Sequence, residues 1–171
     1  MSTRSFVLAA ALLAGVPAAL RAQDAAPATA PTAAAPNYSG TWALDAAKSD
    51  FGPQAQGAAP TRMTMRVRHA GTALQIVQEA SSPMGDQRDS VAYVIGGPAV
   101  THVIADVGPS TTSAALDGGL LVTKSTIQTQ GIEIPVSSRW TLGPDGKVLT
   151  VARTITTPMG DMAMLLVFNK Q

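Results

Sequence analysis

From residue 37 onward the chain alternates, with every second residue apolar over short runs. Met63, Met65 and Val67 alternate with Thr64, Arg66 and Arg68. Ile132, Ile134, Val136 and Trp140 hold one parity, while Glu133, Ser137, Arg139 and Thr141 hold the other. Leu149, Val151 and Ile155 share a parity, as do Met162, Met164, Leu166 and Phe168. A period of two marks strands with one face buried, and no helical period competes with it. Turn residues separate the runs, among them Ala70-Gly71, Gly96-Gly97-Pro98, Asp117-Gly118-Gly119, Gln130-Gly131 and Gly143-Pro144-Asp145-Gly146. The pattern predicts strands over 40–44, 61–69, 73–81, 87–95, 99–105, 110–117, 119–129, 132–142, 147–157 and 161–169. Their connections are too short for helical crossovers, so neighbours pair antiparallel in an all-β, up-and-down meander. About ten twisted strands close on themselves more readily than they stay flat, because closure removes exposed edges. Pro135 lacks a ladder donor and marks an edge, a bulge or an incompletely closed barrel in the eighth strand.

The runs also repeat. Leu74-Gln75-Ile76 leads through Ser82-Pro83-Met84-Gly85-Asp86 into Ser90-Val91-Ala92-Tyr93-Val94, and Leu149-Thr150-Val151 leads through Thr157-Pro158-Met159-Gly160-Asp161 into Leu165-Leu166-Val167-Phe168. A looser copy runs from Leu120-Leu121-Val122 to Gly131 and Ile132-Glu133-Ile134. In each, the first Leu lies eleven residues before the turn Gly. One hairpin unit used three times supports the meander. Superposing the copies on that Leu places Gln78, Lys124 and Arg153 four residues on, at the parity of the apolar positions. If that face lines a barrel, the three project inward, and a buried charge needs a partner. An anionic, fatty-acid-like ligand would supply one, with Arg153 or Lys124 at its head and Met, Leu and Ile along its tail. Asp89 is a rival partner. The competing account lets these long side chains reach water at the barrel mouth, or puts the core face of the Lys124 strand at Leu121.

The ends change the picture of where this domain works. Arg4, the apolar run Phe6 to Leu20 and Ala22 read as a secretory signal over 1–22. The run is 15 residues long, interrupted by Pro17, and short of the ~20 that a spanning helix needs. Residues 23–36 form an Ala/Pro/Thr tract suited to a disordered linker, leaving 37–171 as one domain. The expected location is secreted or periplasmic, with no integral membrane span after cleavage. Without Arg4 and Arg21 the chain carries 10 basic and 11 acidic residues, which disfavours nucleic acid as a partner. Arg62, Arg66 and Arg68 share one parity and read as a solvated face. Two Trp, two Tyr and three Phe are too few for the aromatic girdles of an outer-membrane barrel.

Ser39-Gly40-Thr41-Trp42-Ala43-Leu44-Asp45, followed by Lys48-Ser49-Asp50-Phe51-Gly52, resembles the start of uncharacterised secreted bacterial proteins of a lipocalin-like kind. Asp117-Gly118, Arg139-Trp140-Thr141-Leu142 and Pro144-Asp145-Gly146-Lys147 fit the same pattern, so the resemblance covers most of 37–171. It implies a lipocalin-like, calycin-type barrel and brings no established activity with it. Gly40-Thr41-Trp42 is also similar to the Gly-x-Trp of true lipocalins, whose Trp closes the barrel floor. The Arg that covers that Trp from the last strand is missing; only Lys170 follows 161–169. Trp42 is then a core plug before it is a ligand contact.

Catalytic chemistry finds little support. The chain has two His and no Cys, and no His or carboxylate grouping has metal-ligand spacing. His69 and His102 each lack a sequence-local partner, and no nucleophile elbow surrounds Ser110 or Ser113. The expectation is no enzyme, no cofactor and no metal. Met63, Met65, Trp42 and Trp140 join Gln78, Lys124 and Arg153 as candidate ligand-binding residues, with core filling as the plain alternative for the methionines. The leading reading is an exported barrel that binds a small apolar ligand. The alternative is a structural or protein-interaction domain of the cell envelope with a side-chain-filled core. The pattern does not set an oligomeric state.

Overall fold

The structure, a computed structural model, describes residues 36–53, 57 and 59–171. The predicted signal over 1–22 and the Ala/Pro tract over 23–36, save Pro36, lie outside the described residues. Each alternating run becomes a strand. These are β1 (Gly40–Leu44), β2 (Arg62–Ala70), β3 (Ala73–Ser82), β4 (Gly85–Val94), β5 (Val100–Ile104), β6 (Gly108–Asp117), β7 (Leu120–Thr129), β8 (Ile132–Leu142), β9 (Val148–Thr157) and β10 (Gly160–Lys170). They form one antiparallel sheet in the order β4-β3-β2-β1-β10-β9-β8-β7-β6-β5. The first strand pairs with the last, through Trp42↔Lys170 and Leu44↔Phe168, so the meander curls into a barrel. Among the described strands, β4 and β5 are the one consecutive pair without a ladder. Just past β4, the Ile95 N–H donates to Thr72 O (2.8 Å) beside β3, and the Gly96 N–H donates to Ala114 O of β6 (2.7 Å), tying the two sides at the base of the seam.

Pro135 marks an edge, one of the alternatives that its missing donor offered: the β8–β9 ladder begins at Val136↔Ile155 and leaves Pro135 just beyond it. The β7–β8 ladder continues past Pro135 to Thr129↔Ile132. The opening lies elsewhere, between β4 and β5.

One end of the barrel is packed solid. Inward parity brings Trp42, Leu74, Leu121, Trp140, Leu149 and Phe168 together, each at most 4% exposed. Tyr38, just ahead of β1, is fully buried among them. Its hydroxyl donates to Trp140 O (3.2 Å) and accepts from the Leu121 N–H (3.0 Å), tying the chain start to β7 and β8. The Trp42 indole N–H donates to Tyr38 O (3.0 Å). The cation missing from 161–169 is supplied by Lys170, whose Nζ lies 5.3 Å from the Trp42 ring centroid. Gly40 makes room for it: its φ is 150°, and a Cβ there would meet Lys170 Cε at 2.7 Å. His69 is satisfied structurally. Its Nδ1 accepts from the Tyr38 N–H (3.3 Å), which leaves Nε2 to donate to Gly71 O (3.1 Å). Arg62, Arg66 and Arg68 face outward, as expected of a solvated face. No helix among the described residues is long and apolar enough to cross a membrane.

Candidate functional site

Above the packed end the barrel opens into a cavity of about 270 Å³. Its wall is built by register. Thr123 pairs with Ser138, and Ser138 with Arg153, so inward side chains of β7, β8 and β9 form one polar row. Thr112 pairs with Ser125 in the next row, their hydroxyls 2.7 Å apart, and Ser110 reaches Thr112 at 3.4 Å. Across the barrel, β2 to β4 contribute Met65, Ile76 and Val91. Trp140 borders the cavity on its packed side, and Gln78 joins the wall from β3. The cavity thus sets hydroxyls and a guanidinium opposite Met65, Ile76 and Val91, with Gln87, Arg88 and Asp89 of β4 completing that side.

Arg153 is the central charge of this wall. Its Nε donates to Ser138 Oγ (3.2 Å). Among the described residues, no carboxylate stands within 4.0 Å of it, whereas five other basic side chains do have such a partner. By area it counts as half-buried, because it borders the cavity. Protein nonetheless encloses it, and that desolvation pulls the guanidinium below its ordinary pKa, with Tyr93 opposing. Enclosure, not contact area, sets the cost of the charge. It still carries a proton at any physiological pH.

Two titratable groups flank the seam. Asp89 on β4 and His102 on β5 approach across it, Oδ2 to Nε2 at 3.3 Å, with side chains 28% and 15% exposed. Asp89, the expected rival partner of Arg153, is therefore engaged elsewhere. Tyr93 lies on the same side, its phenol pushed up to about 12 by burial and by the negative Asp89. A Thr112 hydrogen bond and the Arg153 charge pull in the other direction.

Four of the seven sequence-predicted residues come together here: Arg153, Gln78, Met65 and Trp140 all line the cavity. Lys124 does not. It is exposed on the outer face, while Leu121, Thr123 and Ser125 point in. The error is one residue of register, which flips a side chain to the other face. In the β3–β4 and β9–β10 hairpins Gly85 and Gly160 sit in the closing pairs Ser82↔Gly85 and Thr157↔Gly160. In the β7–β8 hairpin Gly131 is inside a two-residue turn closed by Thr129↔Ile132. Counting back from Gly131 therefore starts one position early, and the true equivalent of Arg153 is Ser125. Trp42 and Met63 are also corrected as ligand contacts: both are buried in the core and neither reaches the cavity wall. Met159 is 84% exposed at a hairpin tip.

The residues missed are Tyr93, the Asp89–His102 pair, and the hydroxyls of β6 to β8. A signal for the hydroxyls existed, since Ser110, Thr112 and Ala114 alternate, as do Thr123, Ser125 and Ile127. Reading them as inward required knowing that this wall is polar. His102 and Ser110 are register partners, which with Asp89 invites a nucleophilic triad. The geometry does not make one. Ser110 Oγ is spent on Thr112, and His102 Nδ1 has no hydrogen-bond partner among the described residues.

No protein-family model matches the chain, and no curated protein matches it. Solved structures do. A secretory abundant heat soluble protein from Ramazzottius varieornatus superposes with a TM-score of 0.56 at 13% identity, covering 78% of this chain and 94% of that one. Zebrafish ileal bile acid-binding protein complexed with cholic acid gives 0.54 at 12%, covering 78% and 98%. A Schistosoma mansoni fatty acid-binding protein in complex with arachidonic acid gives 0.53 at 11%, covering 78% and 96%. At these identities the likeness defines the fold, a calycin-type barrel with one unsealed seam.

Proposed function

We propose that this chain is a binding protein whose barrel interior holds a small molecule with an apolar body and an anionic group. The observation that carries this is Arg153, an enclosed guanidinium at the wall of a cavity, with no carboxylate of the described chain beside it. A buried charge is costly without a counter-charge, and a ligand anion provides one with charge-assisted hydrogen bonds. Structural neighbours support the reading, since two were solved with cholic acid and with arachidonic acid, both carboxylic acids. The rival reading, a barrel filled by its own side chains, fits the Trp42 end and not the Arg153 end. The pattern of Arg4, Phe6 to Leu20 and Ala22 supports export, and the Ser39-to-Asp45 resemblance supports kinship with secreted lipocalin-like proteins. The proposed role has no catalytic step.

Native mass spectrometry of the exported full chain tests the reading. A co-purifying anion that is lost in Arg153→Gln is the expected result. A wild-type protein that repeatedly carries nothing and binds no carboxylate probe would overturn it. N-terminal sequencing of the recovered protein tests export, with a start near Gln23 expected.

A further inference from the structure

Resting on that reading, we infer that the cavity selects a compact, hydroxyl-bearing anion over a long-chain fatty acid. Size argues first. At about 270 Å³ the cavity lies below the ~300–1,000 Å³ of sites that hold drug-sized ligands, which favours a small ligand over palmitate.

The chemistry of the wall argues independently. Ser110, Thr112, Thr123 and Ser138 are each at least 92% buried, and all line the cavity. A hydroxyl offers one donor and two acceptor positions. Thr112 is taken up by Ser125 (2.7 Å), Ser110 (3.4 Å) and Tyr93, and Ser138 accepts from Arg153. The unused positions lie on Thr123 and Ser125, with what remains on Ser110 and Ser138. A hydrocarbon tail laid along this wall displaces water and leaves those positions unmet, at roughly tenfold in affinity for each. A ligand with its own hydroxyl meets them instead. The wall opposite includes Met65, Ile76 and Val91, so the fitting ligand also has an apolar side. Its anion sits at Arg153, its hydroxyl lies along Thr123 and Ser125, and its apolar face lies on Met65, Ile76 and Val91.

Calorimetry on the full chain with three probes tests this: 3-phenyllactate (carboxylate and hydroxyl), 3-phenylpropionate (carboxylate alone) and palmitate. Phenyllactate is expected to bind at least tenfold more tightly than palmitate and several-fold more tightly than phenylpropionate. The double variant Thr123→Val/Ser125→Ala removes two of these hydroxyls with near-isosteres. It should erase the preference for phenyllactate, chiefly by tightening phenylpropionate, while a native circular dichroism spectrum shows that the barrel is intact. Arg153→Gln should weaken both small probes at least tenfold. Palmitate binding best, or no preference for the hydroxyl, overturns this inference and leaves the proposed anion-binding role standing. Failure of all three probes, the cavity then holding water only, overturns both.

Discussion

Arg153 shows how a binding residue can oppose stability. Its guanidinium is enclosed, and among the described side chains it hydrogen-bonds to Ser138 alone. Replacing it by Met removes a desolvated charge at similar length. The expected outcome is a protein more stable by about 1 kcal/mol that has lost anion binding, checked by urea denaturation beside calorimetry. A large destabilisation would mean that Arg153 is a structural tie. The two tyrosines make a second residue-scale test. Tyr93 is raised to about 12 and Tyr38 is raised as well, in both cases chiefly by burial. A phenol whose folded pKa is raised contributes stability that is complete below its unfolded value, near 10, and is lost as pH climbs toward the folded value. For Tyr93 that is about 3 kcal/mol lost between pH 10 and 12. Since the chain has only these two Tyr, phenolate absorbance should stay low near pH 10.5 and rise together with unfolding. A reversible rise near pH 10 with native circular dichroism would contradict it. Arg153 was legible because it kept the parity of Leu149 and Val151. Lys124 was misread because Leu120 and Leu121 both fit the repeat, and only the turn type decides between them. Tyr38 was illegible because its partners lie on strands remote in sequence, and His102 because Asp89 faces it across a seam that has no ladder.

At the scale of the element, alternation sufficed. Every strand falls within two residues of its predicted range, because each has one wet and one dry face and a Gly-bearing turn at its end. Alternation does not say which neighbours leave a ladder open. Pro135 drew attention because a missing N–H is visible in sequence, whereas the seam leaves no such mark on β4 or β5. Hydrogen exchange should find it. The β5 strand is five residues long and pairs on one side only, so its amides should exchange before those of β9, which is held by β8 and β10. Equal protection in β5 and β9 would mean the seam is sealed in solution. The turn between β7 and β8 offers a stabilising change. Gln130 and Gly131 take φ of 51° and 77°, the positive pair that two-residue hairpins require, and Gln is poorly suited to it. Gln130→Asn should add about 0.5 kcal/mol by thermal denaturation, with Arg153 chemistry untouched.

For the whole molecule, the barrel divides its labour along its axis. The end built on Tyr38, Trp42, Leu121, Leu149 and Phe168 supplies apolar burial, and the end built on Arg153 and the hydroxyl wall gives some of that burial up for a cavity. Domains are stable by only about 5–15 kcal/mol, so the two ends should respond in opposite senses to the same kind of change. Trp42→Ala removes the largest plug and the ring beneath Lys170, and should cost about 3–5 kcal/mol. Making the cavity wall less polar with Ser110→Ala, Thr123→Val and Ser125→Ala removes three hydroxyls and leaves Thr112 paired with Tyr93. That should be neutral or stabilising by about 1 kcal/mol. Ligand linkage then separates the variants. In wild type, a probe at a hundred times its Kd raises stability by about 2.7 kcal/mol, a few degrees in Tm for a domain of this length. Trp42→Ala, where still folded, should keep that increment from a lower baseline, because Trp42 does not touch the cavity. The triple variant should start at or above wild type and show a smaller increment for hydroxyl-bearing probes. If instead Trp42→Ala abolishes the increment while the triple variant keeps it, the ligand sits at the other end of the barrel, and the assignment to the Arg153 wall is wrong.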